Sequence, residues 1–195
     1  MLVGTTRFVS CGMMSSSTPF VFIGTKGGEV MVYRTDTRVF RTYVPVCSGG
    51  VSSIVPLSSR RSVGDGGKLD DEEEDGEKSL LVGGGDGIIR ILKGHDLEWN
   101  TISEVQLDGP ISSISLVSDG LEAVVGTARG NIYRVLCEDL TSFQLLETSH
   151  VTGINCITFL QDSKLSEEEG ENAGDICLTG SEDGCIKVLV LFYQT

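Results

Sequence analysis

Histidine, tryptophan and proline are scarce in this chain: two, one and four among 195 residues. Two histidines, His95 and His150, offer little to a zinc site, which needs four ligands at close spacing. The six cysteines (Cys11, Cys47, Cys137, Cys156, Cys177, Cys185) include no Cys-x-x-Cys pair. No metal is expected, and the cysteines read as reduced, largely buried thiols. Positive charge is short as well: 15 Lys and Arg stand against 28 Asp and Glu, a net charge of −13. A surface of that sign repels nucleic acid and anionic membranes, so neither is an expected partner. No stretch approaches the roughly 20 apolar residues that span a bilayer as a helix. The opening MLVGTTRFVSCGMM has no basic region leading into an apolar segment of signal-peptide length. The expectation is a cytoplasmic protein whose partners are proteins or cations.

Helical periodicity is also missing. The chain instead carries short runs of branched and aromatic residues punctuated by glycine, among them FVFIG, EVMVY, VFRTYVPV, GVSSIVPL, SLLVGG, GIIRIL, ISEVQL, EAVVG, NIYRVL and CIKVLVLFY. Runs of that length and β-branched content, bounded by turn residues, are strands; about fifteen of them make an all-β protein. Two acidic blocks interrupt the pattern, Asp70 to Glu77 and Glu167 to Glu171. Like charges that dense repel and bury little, so both are read as solvated loops inserted at 60–78 and 163–175.

An internal repeat organises the strands. VFIGTKGGEVMVY (21–33) aligns without gaps on LLVGGGDGIIRIL (80–92), AVVGTARGNIYRV (123–135) and CLTGSEDGCIKVL (177–189). Each copy has a first glycine (Gly24, Gly83, Gly126, Gly180), a second four residues on (Gly28, Gly87, Gly130, Gly184), and Val or Ile two after that. A second element travels with it: GVSSIVPL from Gly50, PISSISLV from Pro110, GINCITFL from Gly153 and, more weakly, RFVSCGMM near Arg7. The first glycines lie 59, 43 and 54 residues apart, and the long intervals hold the acidic insertions.

The glycine-rich VGGGDG at 82–87 suggests a phosphate cradle, but a nucleotide loop would need a helix after it or a lysine and hydroxyl pair. Here each loop opens a strand. Tight hairpins favour positive φ at their central residues, which glycine meets freely and Asp tolerably, so Asp86-Gly87 and Asp183-Gly184 are expected as turns. No cofactor and no small-molecule substrate are expected. Nor do the acidic blocks show the alternating oxygen-ligand spacing of a calcium loop.

A repeating unit of about 40 to 45 residues with four strands is the period of a WD40 propeller blade. The expected fold is therefore an all-β, WD40-type β-propeller with about four degenerate four-stranded blades in an incomplete or open ring. The blades are placed at about 1–48, 49–108, 109–150 and 151–195. The usual Trp-Asp is replaced by Tyr33, Leu92, Val135 and Leu189. In the last copy Ser149-His150 stands where Gly-His is usual, so His150, Ser181 and Asp183 are expected to form a structural hydrogen-bond network. A catalytic serine reading fails on context, because Ser181 flanks a hairpin and not a nucleophile elbow. No enzyme activity is expected. Trp99 and Tyr43 are expected to pack on a neighbouring blade, and Arg134 departs from the Val or Ile of the other copies. The run Ile186 to Tyr193 has no outer strand after it, so the sequence is expected to be part of a longer protein.

SLLVGGGDGIIRIL followed by EVQLDGPISSISLVSDGLEAVVGTARGNIYRV resembles the cilia- and flagella-associated WD-repeat proteins of axonemal doublet microtubules, best over about 80–160. That resemblance implies a non-enzymatic scaffold which contacts tubulin and other axonemal proteins, stabilises the doublet and supports ciliary or flagellar motility. Its localisation would be the cytoskeleton of the cilium or flagellum axoneme. The alternative is a general WD40 interaction adaptor in some cytosolic complex, since fold alone does not choose among partners.

Overall fold

The computed structural model describes residues 8–14, 19–57, 77–117, 120–146, 150–160 and 174–192. Both acidic blocks, apart from Glu77, lie outside the described residues, as does Arg7. Within them the chain is all-β, with fifteen strands and no helix. Every strand pair is antiparallel.

The strands form four sheets in chain order. The first holds β1 (Val9–Met14), β2 (Phe20–Thr25), β3 (Glu29–Arg34) and β4 (Val39–Pro45). The second holds β5 (Val51–Leu57), β6 (Lys78–Gly84), β7 (Ile88–His95) and β8 (Glu98–Gln106). The third holds β9 (Ile111–Leu116), β10 (Glu122–Thr127), β11 (Ile132–Leu136) and β12 (Phe143–Leu145). The fourth has three strands, β13 (Ile154–Leu160), β14 (Gly174–Ser181) and β15 (Ile186–Phe192).

Consecutive sheets stack face to face. β5 packs on β1 and β2, β9 on β5 and β6, and β13 on β9 and β10. Between them lie three apolar clusters, one per junction. Residues at period two alternate faces along a strand, so each middle sheet feeds two clusters. In β6, Leu81 points into the cluster shared with the third sheet, while Leu80 and Val82 point into the one shared with the first. A fully buried side chain of this size contributes roughly 1.5–3 kcal/mol, and with both faces so occupied the middle sheets hold the assembly. This arrangement is propeller-like; among the described residues the first and fourth sheets do not adjoin as consecutive ones do.

Each junction repeats one contact. The register breaks once in each of β1, β5, β9 and β13, at the same place in the repeat. A bulge there adds a residue and re-aims its neighbours. It turns Val51, Ile111 and Ile154 toward the preceding sheet, where each sits over the first glycine of the repeat. A Cβ on Gly24 would lie 2.7 Å from Val51 Cγ1, on Gly83 2.5 Å from Ile111 Cγ2, and on Gly126 2.6 Å from Ile154 Cγ2. These glycines are holes for the knobs of the next sheet. The register also places Val9, opposite Thr25, as the counterpart of Val51 opposite Gly84.

The second glycines turn the chain, at φ of 88° (Gly28), 79° (Gly87), 86° (Gly130) and 79° (Gly184). The expectation that Asp86 and Asp183 share the positive φ is corrected, because neither has it. The amide of each second glycine donates to the carbonyl three residues back. That is a type I turn with a left-handed residue after it, which needs only one special position.

Replacing Gly184 by Ala should cost about 1–2 kcal/mol, the steric penalty of a left-handed L-residue, since nothing lies within 4 Å of its Cβ position. Gly130→Ala should cost more, because its Cβ would also lie 2.5 Å from the carbonyl oxygens of His150 and Thr152. Urea unfolding of the two variants side by side measures the difference.

Candidate functional site

Among the described residues a dense side-chain hydrogen-bond network sits where the fourth sheet's β14–β15 turn meets the segment leading into β13. His150 is 5% exposed. Its Nδ1 lies 3.0 Å from Asp183 Oδ2, and its Nε2 2.9 Å from Thr179 Oγ1. With the proton on Nδ1, the imidazole donates to the carboxylate and accepts from the threonine hydroxyl. Asp183 also accepts from the Val151 amide at 3.1 Å and the Cys185 amide at 2.9 Å. These donors, Cys185 first and then Val151 and His150, outweigh the opposing effect of burial and bring the Asp183 carboxyl down from 3.8 to about 2.

Of the three residues expected here, the structure brings His150 and Asp183 into direct contact, and Ser181 enters differently. Its hydroxyl lies 2.8 Å from the Gly153 carbonyl and 3.1 Å from that of Thr152, and accepts from the Asp183 amide at 3.2 Å. It makes no bond to His150, and the position facing the imidazole belongs to Thr179. No serine, histidine and acid relay arises from this geometry, because Ser181 is tied to backbone carbonyls on the other side of the turn.

The same place in the other sheets is filled by other means. Around the third sheet, Leu107 and Val125 stand in for His150 and Thr179, both within one apolar cluster. Asp108 accepts there from Asn131 at 2.7 Å. The Tyr133 phenol beside it is pushed up by burial first and by the Asp108 charge second. In the second sheet Asp86 caps its turn by accepting from the Ile88 amide at 3.1 Å and pairs with Arg90 at 2.9 Å. Arg90 also reaches Glu104 at 3.3 Å.

Other singled-out residues are placed as follows. Trp99 packs edge-on against Phe22 of the first sheet, with centroids 5.4 Å apart, and its indole N–H donates to the Asp96 carbonyl. Tyr43 is 51% exposed. Arg134 keeps the register of β11, opposite Val124, and pairs with Glu122. Near the outer edge of the second sheet a cavity of about 340 Å³ is lined by Lys93, His95, Asp96, Glu98 and Asn100, with Glu77 bridging to Lys93 at 2.6 Å. Among the described residues no group of three His, Cys, Asp or Glu side chains could hold a metal ion.

No protein-family model matches the chain. It is 30% identical over 158 residues to cilia- and flagella-associated protein 52 of Bos taurus, an alignment covering 78% of this chain and 22% of that protein. The Homo sapiens protein of the same name is 30% identical over 143 residues, covering 72% and 20%, and that of Chlamydomonas reinhardtii 26% identical over 150 residues, covering 75% and 21%. The resemblance read from residues 80–160 is thus borne out, and the chain spans about a fifth of the length of these relatives. Among solved structures, the crystal structure of the computationally designed Ika4 protein superposes with a TM-score of 0.66 at 15% identity, covering 98% of this chain and 96% of that one. At that identity the likeness speaks for the fold alone.

Thr179→Val should destabilise by about 1–3 kcal/mol, the cost of leaving a buried polar partner unsatisfied, although valine fills the matching positions Val82 and Val125. Adding His150→Leu, to reproduce the Leu107 and Val125 pair, should recover most of the loss in urea unfolding. The Asp183 carboxylate, with its folded value below the ordinary 3.8, stabilises the fold fully above about pH 4 and ceases to do so as pH falls through about 2. Asp183→Asn should flatten that part of the acid-unfolding curve.

Proposed function

We propose that this chain, similar over about three quarters of its length to part of cilia- and flagella-associated protein 52, is a segment of a non-enzymatic scaffold of the cilium or flagellum. The finer reading is that it is a stretch of degenerate WD40-type blades. It contacts tubulin and other axonemal proteins, stabilises the doublet microtubule, and so supports motility. The observation that carries the proposal is the run of relatives with this one name at 26–30% identity.

The site's chemistry is in keeping with it. His150, Thr179 and Asp183 spend their polar atoms on one another and on backbone groups, which fixes a turn and leaves no reactive group poised over a cavity. In this reading the network stands as structural, and so do the turn positions Gly24, Gly28, Gly83, Asp86, Gly87, Gly126, Gly130, Gly180, Asp183 and Gly184. The four repeating units are blades at about 1–48, 49–108, 109–150 and 151–195.

A tagged full-length product expressed in a ciliated cell should stay with the salt-resistant axoneme after detergent extraction. Complete release by detergent, with recovery of a cytosolic complex and no tubulin, would favour the general adaptor instead.

A further inference from the structure

The outer edges of the first three sheets are not alike. β4, β8 and β12 are the outermost strands of these sheets, and among the described residues no further strand pairs with them. β4 and β8 each break register once: Arg41 is an extra residue between Phe40 and Thr42, and Ile102 an extra residue between Thr101 and Ser103. A bulge of this kind bends an edge and spoils it for another strand. β12 has no such break. Its pairing with β11 runs on past the strand at both ends, through the Leu136 amide to the Ser142 carbonyl at 3.0 Å and the Leu146 amide to the Ile132 carbonyl at 2.9 Å. The third sheet therefore has an unbroken outer edge over 142–146. Both of its faces are packed, by the second and the fourth sheets, and its outermost strand is in place, so this edge belongs to a finished sheet.

The residues along the edge match what an added strand needs. In an antiparallel pair alternate residues turn both backbone groups to the partner. Ser142, Gln144 and Leu146 turn theirs to β11, which leaves the N–H and C=O of Phe143 and Leu145 pointing outward. The side chains of these two, opposite Val135 and Tyr133, extend the face turned to the second sheet and are 47% and 49% exposed. The Phe143 ring lies tilted against Tyr133, with centroids 6.3 Å apart. Charge at this place has one sign. The stretch 136–146 carries Glu138 and Asp139, both exposed at the hairpin turn, and neither Lys nor Arg. Arg134, opposite Gln144, is paired with Glu122, and the chain as a whole is at −13.

We propose that the outer edge of β12 binds an extended segment of another protein as an added antiparallel strand. Backbone bonds to Phe143 and Leu145 supply the pairing, and side chains at alternate positions supply the choice of partner. Residues of the segment directly opposite Phe143 and Leu145 share their face, so β-branched apolar residues belong there. Lys or Arg belongs at the end beside Glu138 and Asp139, drawn by a surface of opposite sign. The inference rests on the edge and its charge and not on the ciliary reading.

Fluorescence anisotropy on the purified full-length product tests it, with the labelled peptide Lys-Lys-Thr-Val-Thr-Val-Thr-Lys-Lys as the probe. The peptide should bind, and one with Glu in place of every Lys should bind at least about 10-fold more weakly. Leu145→Pro should also weaken binding by about 10-fold or more, because it removes an outward N–H while leaving every bond to β11. Circular dichroism verifies that the variant keeps its β spectrum. If it does not, the peptide itself carries the test on the unaltered protein: methylating the valine backbone nitrogens should abolish binding, and methylating those of the threonines should not. Failure of the lysine peptide to bind, as when another segment of the same protein covers β12, overturns the proposal. So does equal binding of the Glu peptide, binding unchanged in folded Leu145→Pro, or equal effects of the two methylations. Self-association that Leu145→Pro abolishes would give the edge to a second copy and overturn it too.

Discussion

The structure depends on a steric bargain at three glycines, Gly24, Gly83 and Gly126. A sheet can lie close on its neighbour only if one residue at the contact has no side chain, and at each junction that residue is the first glycine of the preceding repeat. Over it the next sheet places a valine or isoleucine, turned inward by a bulge in its innermost strand. With Cβ positions at 2.5–2.7 Å from these side chains, no other amino acid fits without movement. Among the described residues every apolar cluster lies at one of these junctions, so the bulk of that hydrophobic burial is conditional on the glycine beneath it.

Polar detail is free to vary around that constraint. Each loop into a new sheet must satisfy the donors of the turn beside it, and the chain does so in different ways. The fourth sheet uses His150, Asp183 and Thr179; the third uses Asp108 and Asn131 over an apolar Leu107; the second uses Asp86 with Arg90. These groups are spent on turn geometry.

Much of this was legible in the sequence because the repeat keeps glycine and β-branched residues in one frame. The spacing from Gly83 to Gly87 to Ile89 locates two strands and their turn without any contact being known. What escaped was whatever depends on an extra residue or on the third dimension. The bulge in β1 pairs Cys11 with Gly24 and so makes Val9 the match of Val51; a residue pattern as weak as RFVSCGMM cannot show that offset. Thr179 was missed because it occupies a strand position filled by Val82 and Val125 elsewhere, where nothing marks it as polar and inward. Ser181 looked the better partner for His150 by analogy of position, yet its side chain turns to the Gly153 carbonyl. Positive φ was expected at Asp86 and Asp183 because the aspartate-glycine pair is common to two turn types, and only the backbone distinguishes them.

The most direct measurement of this account is a double-mutant cycle at one junction, with Gly83→Ala and Ile111→Ala made singly and together and their stabilities read from urea unfolding. If the glycine exists to admit the isoleucine, the new methyl in the double variant occupies space the truncation has vacated. The double variant should then be less destabilised than the sum of the single changes, by about 1 kcal/mol or more. Strict additivity would show that the two positions do not share a contact and would contradict the account.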